Sequence, residues 1–99
     1  MISMTRSAAI APGKTREALT FAHAIAKMIH ETYGVKLELQ MPIGGNPNRI
    51  AWHARYESIA DWDALGTKLI GDADYAAAVA ANSATFIAGS VHDDIWRSI

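Results

Sequence analysis

Residues 49–75, RIAWHARYESIADWDALGTKLIGDADY, change period in mid-stretch, and that change restricts the fold more than any other feature of the chain. Up to Tyr56 the residues alternate: Ile50, Trp52, Ala54 and Tyr56 point one way, and Arg49, His53 and Arg55 the other, as successive residues of a strand must. From Ser58 the spacing turns helical, with Ile59, Trp62, Leu65, Gly66 and Leu69 on one stripe. A strand that feeds directly into an amphipathic helix buries its apolar side under that helix. Its other side, which carries His and Arg, is left for something polar.

The rest of the chain repeats the two periods. Ile2, Met4, Ala8 and Ile10 alternate with Ser3, Thr5 and Ser7 as a first strand, ended by Pro12-Gly13. Ala18, Phe21, Ala22, Ile25, Met28 and Ile29 follow helical spacing between about Lys14 and Tyr33, and Gly34 stands where a left-handed cap is wanted. Val35, Leu37, Leu39 and Met41 alternate with Lys36, Glu38 and Gln40, and the Pro42, Gly44-Gly45-Asn46-Pro47 punctuation predicts a hairpin loop before the third strand. Ser58 and Asp61 have the spacing of a capping box. Gly71 breaks the second helix, and Asp72 can cap a further one running to about Thr85. A fourth strand is expected from Gly89 to Trp96. The order is β-α-β-β-α-β with the second helix split, the ferredoxin-like α+β arrangement, in which helices cover one face of a four-stranded antiparallel sheet. With Val91 and Ile95 facing the helices, His92, Asp94 and Trp96 fall on the open face with Glu38, Gln40, His53 and Arg55.

Composition narrows the function classes. Ninety-nine residues form a single domain, 1–99, and 19 of the hydrophobic positions are alanine, so the core is lean and an oligomeric partner is expected. A net charge of -1 without a basic patch argues against nucleic acid and anionic membranes as partners. No run approaches the ~20 apolar residues of a membrane span. The opening MISMTRSAAIAPG has no basic leader followed by an apolar core, so a cytoplasmic protein is expected. Cysteine is absent.

Pro12-Gly13-Lys14 before the first helix, Tyr56-Glu57-Ser58 leading into Ala60-Asp61-Trp62, and Asp72-Ala73-Asp74-Tyr75 give the chain its family likeness. It resembles the dimeric α+β barrel superfamily, in its NIPSNAP-like and antibiotic-biosynthesis-monooxygenase-like branches. The resemblance implies a homodimer that pairs open sheet faces into a barrel, with a pocket inside the barrel or between sheet and helices. It also implies a range of activities, from haem degradation to cofactor-free oxygenation and isomerisation. The haem-degrading members use an Asn on the first strand, where this chain has Ser3, Thr5 and Ser7, and a His where Val79 stands here. No cofactor is expected.

Other motifs have structural readings. Gly13-Lys14-Thr15 lacks the earlier Gly of a P-loop, since position 8 is Ala. His23 and His30 are about 10 Å apart along one helix, too far to share an ion, and no metal site is expected. Trp62, on the stripe of Leu65 and Leu69, is expected in the core. His53 and Arg55 are the candidate catalytic pair, His as a proton acceptor near neutral pH and Arg as a holder of a carboxylate or enolate. Glu38, Gln40, His92, Asp94 and Trp96 are candidate ligand-binding residues. The alternative is that His53 and Arg55 make interfacial ion pairs with Glu38, Asp94 or a partner subunit. The expected function is binding of a small organic acid or aromatic ligand, with cofactor-independent monooxygenation or isomerisation as its enzymatic form. A non-enzymatic carrier or assembly protein is the alternative.

Overall fold

Strand β1 (Ile2–Ala9) lies inside the sheet, antiparallel to β3 (Arg49–Tyr56) on one side and to β4 (His92–Arg97) on the other. The short β2 (Glu38–Gln40) pairs with β3 at the far edge, giving the order β2-β3-β1-β4. The computed structural model describes residues 1–99, and its element order is the one expected from the periods. Only the ends differ. The second strand keeps three of its seven alternating residues, because only Glu38, Leu39 and Gln40 pair with β3. The fourth begins at His92, three residues later than expected.

Helix α1 (Thr15–Tyr33) stops where Gly34 adopts φ 73° and returns its N–H to the His30 carbonyl, a backbone state that glycine reaches without the strain a Cβ would bring. Helix α2 (Ile59–Ile70) starts on Ser58, whose hydroxyl accepts the Asp61 N–H. At Gly71 the chain leaves the helix, and the Asp72 carboxylate accepts the N–H groups of Asp74 and Tyr75 to start α3 (Ala73–Ala81). A 3-10 turn, Ser83–Thr85, follows where the helix was expected to continue. Asn82 ends α3 by donating its side-chain amide to the Ala78 carbonyl, the local competition with helix that Asn favours. No helix is long and apolar enough to cross a membrane.

The core forms two patches on the helix-covered face. One holds Ile2, Ile25, Ile29, Ala54, Tyr56 and Leu65; the other holds Ala8, Ile10, Ala18, Ala22, Ile50 and Trp52. Ala18 and Ala22 are fully buried, and their small size lets α1 approach closely enough for the Trp52 indole to donate to the Ala22 carbonyl. Phe21 and Phe86 meet the Trp52 ring at centroid distances of 6.2 Å each. Trp62 is half-buried and packs on the edge of the first patch rather than within it. No residue of α3 is buried, and β4 is exposed along its length. Only 14 of the 99 residues are buried, so the isolated chain leaves much apolar surface in water.

Two carboxylates tie distant segments together. Asp72 accepts a hydrogen bond from the Tyr33 hydroxyl at the end of α1, and that bond holds its pKa down while raising that of Tyr33. Asp93 on β4 takes a forked pair of bonds from Arg6 on β1, at 2.7 and 2.8 Å, which lowers the Asp93 pKa and raises that of Arg6. A carboxyl with a depressed folded pKa contributes stability that is fully present above its unfolded pKa. That contribution is lost as pH falls through the folded value. Stability should therefore fall below about pH 4, and Asp93→Asn should make the fall shallower. Urea midpoints measured from pH 6 to pH 2 check this; parallel acid limbs for the two proteins would refute it.

Candidate functional site

The two core patches do not close over the middle of the sheet. Between them lies a cavity of about 330 Å3, floored by Met4, Arg6 and Ala8 of β1 with Trp52 and Tyr56 of β3. It is walled by Phe21, Ile25 and Ile29 of α1 and by Leu65 and Leu69 of α2. Tyr75, Val79, Asn82 and Ser83 border it from α3 and the turn that follows, and Phe86, Ile87, Gly89 and Val91 from the segment entering β4. Helix α1 supplies buried residues to both patches, and α3 reaches the space between them only through Tyr75 and Val79. Its lining is largely apolar with a few polar groups, the usual character of a small-molecule site.

The polar end is built around Arg6. Asp93 engages Nε and Nη2 of the guanidinium, and Tyr75, another residue of the cavity wall, also lies within reach of the Arg6 charge. The Tyr56 hydroxyl is buried without a hydrogen-bond partner. Burial raises the Tyr56 pKa, and the nearby Arg6 charge offsets part of that rise, so the phenol stays protonated at neutral pH.

The sequence candidates occupy the opposite face. Pairing puts Glu38, His53, Thr5 and Asp94 in one row across four strands, and Gln40, Ala51, Ser7 and His92 in the next. Thr5 Oγ1 and His53 Nδ1 are hydrogen bonded at 2.8 Å, and His92 Nε2 lies 3.2 Å from Asp94 Oδ1. Arg49 donates to the Ser7 hydroxyl. Arg55 is exposed, beside Ser3 and Trp96 in a third row, and neither Glu38 nor Asp94 forms an ion pair with it. Glu38, His53 and Arg55 share one broad depression, together with His23, that is open to solvent. No group of three or more His, Cys, Asp or Glu side chains is placed to hold a metal ion.

No protein-family model and no curated protein matches the sequence. Solved structures do match. An uncharacterised NIPSNAP domain protein from Burkholderia xenovorans superposes with a TM-score of 0.83 at 17% identity, covering 100% of this chain and 95% of its own. A NIPSNAP family protein from Agrobacterium tumefaciens gives 0.78 at 21% identity, over 99% of this chain and 85% of that one. This chain has the NIPSNAP-type fold. A candidate antibiotic biosynthesis monooxygenase from Nitrosomonas europaea shares the architecture, with a TM-score of 0.74 at 14% identity over 100% and 99% of the two chains.

Within this NIPSNAP-type fold, position 6 is what the sequence reading passed over. Arg6 has the parity of Ile2, Met4 and Ala8 and faces the helices with them. Asp93 has the parity of Val91 and Ile95. An arginine and an aspartate on the apolar faces of two strands were the available signal, since such charges require each other when partly buried. His53 and Arg55 lie outside the cavity, on the face that the helices leave uncovered.

Proposed function

We propose that this protein binds a small, largely apolar organic molecule in the cavity between sheet and helices, and does so as a homodimer. The observation that carries the reading is the partly open, largely apolar space of about 330 Å3 left between the two core patches. An unfilled space of this size forfeits packing energy, and a bound molecule restores it. The solvent-open depression at His53 is the weaker site, because half of its lining is polar and no wall closes it. The test is thermal: 2-ethylnaphthalene, an apolar bicyclic probe, should raise the melting midpoint by several degrees. Val79→Trp, at the cavity mouth where Val79 is partly exposed, should remove that rise. No rise for the unmodified protein overturns the reading.

An exposed aromatic on the open face supports the homodimer. Trp96 is 71% exposed on that face, beside the polar rows of His53, Thr5 and Asp94, and a large aromatic in water marks an association surface. In a homodimer the open face would be covered, giving His53, Arg55 and Asp94 partners from the second copy. Light scattering should give twice the chain mass at micromolar concentration, and a compact monomer would rule the dimer out.

A further inference from the structure

The cavity's polar end specifies more than an apolar guest. The Tyr56 side chain is among the most buried in the chain, with 6% exposure, yet its hydroxyl has no partner. A buried unpartnered hydroxyl carries a desolvation penalty that a bound acceptor atom removes. Arg6 lies on the same wall and retains N–H donors beyond the two engaged by Asp93. Both groups lie at the same end of the space, and the Tyr56 hydroxyl, closed off from water in the empty protein, turns toward a guest to donate.

The charge balance then selects the acceptor. Arg6 is the only cationic side chain on the cavity wall, and Asp93 already neutralises it through a forked bond. A carboxylate entering the cavity would be left with a net charge in apolar surroundings, which is unfavourable. A carbonyl oxygen needs only donors. We propose that the cavity selects a neutral carbonyl compound, a ketone or ester on an apolar body, whose oxygen accepts hydrogen bonds from Tyr56 and Arg6. This rests on the cavity being the ligand site and departs from the organic acid expected from sequence.

Three probes of one shape test it by equilibrium dialysis: 2-acetylnaphthalene, 2-ethylnaphthalene and 2-naphthoate. The ketone should bind about tenfold more tightly than the hydrocarbon, the difference that one or two hydrogen bonds to a buried oxygen produce. Tyr56→Phe should erase most of that preference and leave 2-ethylnaphthalene binding within about twofold, since the lost hydroxyl makes no bond in the free protein. Asp93→Asn frees the Arg6 charge and should strengthen 2-naphthoate binding by about tenfold. The proposal is overturned if 2-naphthoate binds the unmodified protein more tightly than the ketone, if Tyr56→Phe keeps the preference, or if Asp93→Asn leaves 2-naphthoate unchanged. Failure of all three probes to bind overturns the cavity reading itself. Equal binding of ketone and hydrocarbon overturns only the carbonyl assignment.

Discussion

Trp52→Ala is expected to destabilise the protein by about 3–5 kcal/mol, the usual range for removing a buried tryptophan. Trp52 is 9% exposed, belongs to the second core patch, and holds Phe21 and Phe86 against its ring. Its indole also donates to the Ala22 carbonyl, so removal loosens the attachment of α1 to the sheet. The site adjoins an existing cavity, so neighbouring side chains have no dense packing from which to close the gap. For a domain of this size each kcal/mol moves the midpoint by about 4–8 °C, and a fall of well over ten degrees should be seen in calorimetry. A fall of only two or three degrees would mean that the Trp52 wall collapses inward and that the cavity is not held open by the fold.

If the open faces pair as proposed, Trp96→Asp should weaken dimerisation by about 2–4 kcal/mol, or 30- to 1,000-fold in Kd, the loss typical of a central aromatic anchor. Trp96 makes no contribution to the core of the single chain, being 71% exposed at the end of β4. The substitution should therefore separate association from folding: far-ultraviolet circular dichroism unchanged, sedimentation shifted to the monomer. A variant that sediments like the unmodified protein would place any interface elsewhere.

Much of the fold was legible because it depends on periodicity, which is local. The switch at Ser58, the Gly34 cap and the Asp72 cap each act within a few residues, and each appears where the spacing puts it. The phase of β4 was harder to read, because His92, Asp94 and Trp96 alternate with Val91, Asp93 and Ile95 and each side holds an aspartate; the ladder sets His92, Asp94 and Trp96 on the open face, the phase favoured from Val91 and Ile95. Strand ends were less so. β2 keeps only Glu38–Gln40 because pairing with β3 extends no further, and hydrogen bonds to a neighbour are not written in a strand's own pattern. The cavity was the least legible part. It depends on the distance at which α3 crosses the sheet, and a run of alanines states helix without stating what the helix fails to fill.

Which elements form, in what order, and which residues share a face follow from side-chain period and capping, which covalent neighbours set. Alternation alone puts Glu38, Gln40, His53, Arg55, His92, Asp94 and Trp96 on one face. Which face holds a cavity is settled by how the elements pack. That space lies beside Arg6, Asp93 and Tyr56, residues far apart in the chain that one sheet register brings together. The reason is that a cavity is a property of packing between elements: how much of the space over a sheet is filled depends on where the helices seat, whatever the alternation within each strand.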